Sequence, residues 1–207
     1  MWGLVESGSI TKLINNPKAM VIGDVRHSRN IFSSRWTNAE REAIGIYEVE
    51  FDNTNKKDEQ WYINTNQSFA FAGGKITASY GTATAKAHAD TTWTQQDSDD
   101  GDLPSDKSVG DVKVEGLKTT LIRTLKSQVA NELARTDWYI TRNTEKSTAI
   151  PSAISTHRDA VRTKQEEMET AITNASDTPA LETLYTYTEQ EDKSVTRPLG
   201  ELPTLEI

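Results

Sequence analysis

From Leu117 to Leu133 a large aliphatic residue recurs at every fourth position: Leu117, Leu121, Leu125, Val129 and Leu133. No glycine or proline interrupts the run. Strands seldom exceed about 10 residues, whereas a long run at this spacing is the mark of a helix. Together with Ile122 these side chains make one apolar stripe that winds slowly around the helix. A second helix is marked by Ile154, Val161, Met168 and Ile172, with Pro151 near its start, where the missing N–H costs nothing. "SDTPALETLYTY" predicts a third, short helix, capped by Thr178 or Asp177 with Pro179 in its first turn. Beyond it, "RPLGELPTLEI" holds two prolines that resist regular structure and reads as an extended arm over 191–207.

The first eighty residues obey a different period. "MWGLV" and "SITKLI" flank Glu6-Ser7-Gly8, as the strands of a hairpin would. Gly23-Asp24 lies between two β-prone runs and suits a type II′ turn. Thr37 and Glu40 have capping-box spacing and Gly45 stands where a helix would stop, so a two-turn helix is expected at about 38–44. In "IYEVEF", Tyr47, Val49 and Phe51 share one face while Glu48 and Glu50 point to water. Phe69, Phe71, Ile76, Ala78 and Tyr80 alternate in the same way around a turn at Gly73-Gly74. Between the two regions, 81–114 is rich in small polar and acidic residues. It reads as an extended linker with Trp93 as an anchor onto the sheet and a helical turn at 84–90 as an option.

The fold class expected is therefore α+β. A small antiparallel β-rich N-terminal domain (1–80) is followed by an acidic linker (81–114), a C-terminal α-helical hairpin with a short third helix (115–190) and the arm (191–207). The 207 residues suffice for a core without staples. There is no cysteine, which excludes disulfides and thiolate metal sites. A net charge of −8 with scattered lysine and arginine disfavours nucleic acid and anionic membranes as partners. No run approaches the ~18 apolar residues of a membrane span, and the N-terminus lacks the basic and apolar regions of a secretory signal.

Candidate chemistry is sparse. "DSDDGD" at 97–102 fails the calcium-loop pattern, because Gly101 falls one position short and Ser108 stands where the bidentate glutamate belongs. His27, His88 and His157 lie far apart with no His-x-x-x-His pair, and His157 is expected to face water beside Arg158. There is no Gly-x-Ser-x-Gly elbow and no phosphate-cradling glycine pattern. Paired carboxylates such as those of "EVEFD" and "EEME" sit on polar faces where both ionise normally. No catalytic residue, cofactor or metal is expected from these patterns. Five tryptophans, Trp2, Trp36, Trp61, Trp93 and Trp138, read as packing anchors, with a sugar platform as the sharper alternative.

The stretch "LIRTLKSQVANELARTDWYITRNTEKSTAIPSAISTHRDAVR" resembles the C-terminal helical segment of tailed-bacteriophage tail proteins, including tail-fibre assembly chaperones. In that group a helix ends in Leu-Ala-x-Thr-Asp-Trp, a loop carries Ile-Pro, and a helix carries Tyr-Arg-x-x-(Leu/Val)-Arg. Leu133, Ala134, Thr136, Asp137, Trp138, Ile150, Pro151, Arg158, Val161 and Arg162 fill the pattern, with His157 in place of the tyrosine. "IFSSRWTNAEREAIGIYEVEF" resembles a segment of the same group, and "DVKVEGLK" and "TPALETLYTY…RPLGELP" look like structural proteins of marine phages. The resemblance implies a non-enzymatic part of a virion tail, assembled in the host cytoplasm. It would form homo-oligomers and contact other tail proteins. A tail-fibre assembly chaperone absent from the particle is the alternative, and a module that binds a host glycan a second.

In that context Trp138, Ile150 and Val161 are expected to form a hairpin latch. Trp138 would be wedged between antiparallel helices as the chain reverses through 141–150, and Asp137 would cap the turn. Leu199, Leu202 and Leu205 are expected to anchor the arm in a partner's groove.

Overall fold

A computed structural model describes residues 1–205. It is a mixed α+β chain that divides into two compact units, Met1–Thr84 and a second beginning at Ala85.

In the first unit β1 (Trp2–Glu6) and β2 (Ser9–Ile14) form the expected hairpin. Ser7 and Gly8 both take positive φ, 51° and 77°, as a type I′ turn requires. A second small hairpin joins β3 (Met20–Ile22) to β4 (Val25–His27) through Gly23, whose φ of 57° fits the II′ geometry. Helix α1 (Asn38–Glu42) starts at the predicted capping box: the Glu40 backbone N–H donates to Thr37 Oγ1 and the Thr37 N–H to the Glu40 carboxylate. Buried Arg41 ties this helix down. Its guanidinium donates to the Ile31 and Ser33 carbonyls at 2.8 and 2.6 Å and lies 4.6 Å from the Trp2 ring.

The strands β5 (Ile46–Asp52), β6 (Tyr62–Ile63), β7 (Ser68–Ala72) and β8 (Lys75–Ser79) follow. The main sheet runs β2-β1-β5-β8-β7. It is not wholly antiparallel as expected, because β5 pairs with β8 in parallel. The hairpin β7–β8 arrives after a long connection and lays its second strand against β5. Period-two alternation marks a strand's faces but carries no direction, so the sequence could not give this. The pairing aligns Val49, Ile76 and Phe71 across three strands. Val5, Val49, Ile76 and Ala78 form one cluster on the sheet, and Leu4, Ile14 and Ile46 another. A Cβ at Gly3 would fall 2.3 Å from Ile76 Cδ1, so the end of that buried side chain would have to shift. Phe51, assigned to the covered face, is 52% exposed.

In the second unit the supposed linker is folded. After β9 (Thr84–Ala85), β10 (Thr91–Thr92) pairs with β11 (Val112–Val114), and between them α2 (Gln95–Asp99) is capped by Thr94 and Asp97. No helical turn forms at 84–90. Trp93 is held locally: its N–H donates to the Asp111 carbonyl at 2.8 Å, and Lys113 lies 4.4 Å from its ring while pairing with Asp97.

Residues 86–90 form a strap over the helices. The Ala87 and His88 carbonyls accept from Leu117 and Lys118, the first N–H groups of α3 (Leu117–Ala134). Asp90 accepts from the Gly116 N–H (2.6 Å) and the Thr119 hydroxyl (2.8 Å). A helix N-terminus leaves four N–H groups without partners and favours negative charge, so the strap satisfies donors that no residue of α3 itself can. At the far side Thr178 Oγ1 donates to the Lys86 carbonyl at 2.6 Å, leaving Asp177 as the cap of α6 (Thr178–Tyr185).

These bonds set an acid limit. The Gly116 N–H and then the Thr119 hydroxyl hold Asp90 below the usual carboxylate range, and Lys113, with Thr94, draws Asp97 down to about 2. Depressed carboxyls stabilise the fold fully above their unfolded value of about 3.9 and lose that contribution as pH falls through the folded value. Wild-type stability should therefore fall between about pH 4 and pH 2. Denaturant midpoints across that window should fall less steeply in Asp97→Asn than in wild type. Parallel acid limbs would count against the linkage.

Helices α3, α4 (Asp137–Lys146) and α5 (Ser152–Asn174) precede α6. Helices α3 and α5 run antiparallel, with Lys118 bonded to the Thr173 carbonyl near one end and Glu132 to His157 near the other. Leu125, Val129, Ile154, Val161, Met168, Ile172 and Leu181 are buried. The chain enters the arm through a hairpin, β12 (Thr188–Glu189) with β13 (Val195–Thr196), so its first residues are not extended as expected. Leu199 is buried against its own chain and donates its N–H to the Leu184 carbonyl at 3.0 Å.

Candidate functional site

Four residues of the segment that resembles phage-tail proteins, Leu133, Thr136, Asp137 and Arg158, meet at the junction of α3, α4 and α5. Helix α3 stops at Ala134, and Thr136, with φ −116° and ψ 2°, turns the chain into α4. Such a break strands carbonyls at one helix end and N–H groups at the next. Arg158, projecting from α5, closes the gap. Its Nη1 reaches the Leu133 carbonyl (2.8 Å), the Thr136 hydroxyl (2.7 Å) and Asp137 Oδ1 (2.8 Å). Thr136 is fully buried and also donates its hydroxyl to Leu133 O at 3.0 Å. The guanidinium thus lies at the negative end of α3, and Asp137 occupies the first turn of α4, both favoured by the helix dipoles.

One residue earlier on α5, His157 is buried, not solvent-facing as expected, with Nε2 3.0 Å from Glu132 Oε1. Arg135 also binds Glu132 and, ahead of His157, holds its carboxyl below the ordinary value. The buried imidazole is therefore partnered.

The latch is not built as the sequence suggested. Trp138 is 51% exposed and lies on the surface of α4, because 137–146 is helix and not the reversing loop. Its ring rests on Tyr139, centroids 3.8 Å apart, and Arg142 lies 4.7 Å from the Trp138 ring and 5.3 Å from that of Tyr139. Ile150 is half-buried in the connection between α4 and α5, and Val161 is fully buried in the helix interface. Leu202 and Leu205 are half-buried, so of the three arm leucines Leu199 alone is fully covered, and by its own chain.

Trp138→Ala should accordingly shift the unfolding midpoint by less than about 1 kcal/mol, as surface substitutions do. Urea denaturation monitored by circular dichroism checks this, and a loss of about 3–5 kcal/mol would restore the buried wedge.

Sequence reasoning passed over Arg158 as the clamp and Asp90 as the strap. A signal for the first was present: Arg158 falls between Ile154 and Val161 on the apolar stripe of α5, where a charge is tolerated only with partners. Asp90 offered none, its partners being 26 and 29 residues away. Among the described residues no group of three or more His, Cys, Asp or Glu is placed to hold a metal, and no helix is long and apolar enough to cross a membrane. No protein-family model matches this chain, nor does any curated protein or solved structure.

Proposed function

We propose that this chain is a non-enzymatic structural component of a phage tail, associated with the fibre, baseplate or adaptor, and acts through protein–protein contacts. In this reading the β-rich part, 1–80, docks onto the tail, and the helical hairpin of 115–190 pairs with copies of itself or with a neighbour. The observation that carries it is the Arg158 clamp. It gives a physical reason for the spacing of Thr136, Asp137 and Arg158 in the phage-tail motif, and it fixes the helix that presents Trp138 to solvent. A half-exposed tryptophan on a rigid support suits a contact surface, since such rings supply large area at low entropic cost.

Mass spectrometry of purified particles tests the reading. A tail component is recovered from particles at a fixed ratio to other tail proteins. An assembly chaperone is recovered from infected cells but missing from particles. A glycan-binding module is marked instead by a saturable response on a glycan array. Either of the last two outcomes overturns the structural role.

A further inference from the structure

The basic residues are not evenly distributed. Between Glu6 and Glu40 the chain carries Lys12, Lys18, Arg26, Arg29 and Arg35 against Asp24 alone, a net +4 within a chain of −8. Elsewhere cations have acidic partners, as Lys75 has Glu50, Arg123 has Glu115 and Arg197 has Glu201. These five are all exposed, and none makes an ion pair or a side-chain hydrogen bond among the described residues. Two cavities gather them. Lys12 and Lys18, with Asn15 and Asn16, line one of about 290 Å³ at the end of β2. Arg29 and Asn30 line a second of about 400 Å³, whose wall includes Pro17, the residue before Lys18. Strand β3 leaves the first cavity at Met20, and its partner β4 carries Arg26 opposite Val21. Concave surfaces of one sign focus the field on whatever enters them.

The opposite sign is concentrated elsewhere. Asp97, Asp99, Asp100, Asp102 and Asp106 fall within 97–106 with no cation among them. This stretch lies in the loop of the β10–β11 hairpin, beyond the bonds that join Trp93 to Gly110 and Asp111. Asp97 is taken by Lys113, and Asp99 and Asp100 accept only from the neutral Gln95 and Gln96. Asp102 and Asp106 are exposed and have no side-chain partner among the described residues. We propose that these two surfaces meet between copies of the chain: the 97–106 loop of one copy seats its carboxylates against Lys12, Lys18 and Arg29 of another. A contact that uses two different surfaces joins copies head to tail, into a ring or an open filament. Nucleic acid is the poorer fit, because its charge continues past the patch onto an acidic remainder, whereas the charge of the loop ends within a few residues. The proposal rests on the reading that the chain acts through protein contacts and names the surfaces that one such contact uses.

Sedimentation velocity of the full chain reads the contact. At about 50 mM NaCl, species of twice the monomer mass or more should form as concentration rises, and at about 500 mM the association should weaken by about tenfold or more, because contacts between exposed charges are screened. The variant Lys12→Glu/Lys18→Glu/Arg29→Glu should stay monomeric, and so should Asp99→Lys/Asp102→Lys/Asp106→Lys. Asp97 is left in place because it caps α2. All the substituted positions are exposed, so both variants should keep the wild-type circular-dichroism spectrum. Mixed together, the two should associate again, since each then meets the opposite sign on the other; no contact within one chain gives that result. A wild type that is monomeric at low salt, a reversed variant that associates as wild type does, or a mixture that stays monomeric overturns the proposal. So does saturable uptake of a labelled single-stranded oligonucleotide that the first variant loses, since the patch would then serve nucleic acid. Particle composition reads the tail assignment independently of these masses, so either can fail alone.

Discussion

Replacing Arg158 with methionine should cost about 3 kcal/mol of folding stability, the lower end of what losing two hydrogen bonds to a charged donor costs. Methionine keeps most of the aliphatic stem, so the loss isolates the guanidinium. Without it, the Thr136 hydroxyl and the Leu133 carbonyl lose a charged donor at a site from which water is excluded. Asp137 contributes less to this total, because its side chain is 60% exposed and water can take over from the arginine. Arg158→Lys should recover less than half of the deficit, since an ammonium on a shorter reach cannot match the position of Nη1 against three acceptors. Urea denaturation followed by the helical circular-dichroism signal measures both. If Arg158→Met unfolds at the wild-type midpoint, the clamp contributes nothing and the structural account of the motif fails with it.

Gly116→Ala should be as damaging, about 3 kcal/mol, at the upper end of what forced overpacking costs. Gly116 precedes α3 and packs directly against the strap. An added Cβ would lie 2.8 Å from the His88 carbonyl oxygen and closer still to the carbonyl of Ala89. Those atoms are backbone and cannot swing aside as a side chain would. To accept the methyl group, the strap must lift, and lifting it breaks the bonds from Leu117 and Lys118 to Ala87 and His88 as well as that from the Gly116 N–H to Asp90. Gly101→Ala is the matched control, because nothing lies within 4 Å of its added Cβ. Gly101 has a φ of 79°, so that control carries its own backbone strain of about 1 kcal/mol. The same denaturation experiment reads both variants, and a Gly116→Ala midpoint no lower than that of Gly101→Ala would show that the strap is not packed as described.

Elements whose causes are local were legible in the residues alone. The hairpin turns at Ser7-Gly8 and Gly23-Asp24, the capping box of Thr37 and Glu40, and the apolar stripe of α3 all follow from residues within a few positions of one another. Burial of Val161 was legible for the same reason, as part of a helical stripe. The other features depend on contacts between distant parts of the chain. Whether the neighbour of β5 runs parallel to it depends on which strand of a distant hairpin lies beside it, and side-chain alternation is the same in either direction. The strap at 86–90 reads as solvated linker because its residues are small and polar; its worth comes from α3 and α6, which supply the other halves of its hydrogen bonds. Trp138 read as buried because tryptophan usually is, but helix continues through Lys146 and turns the ring outward while an arginine fills the junction. Local chain stiffness and periodicity are written within a few residues, whereas the partner of a buried polar group can come from anywhere in the chain, and only the folded arrangement names it.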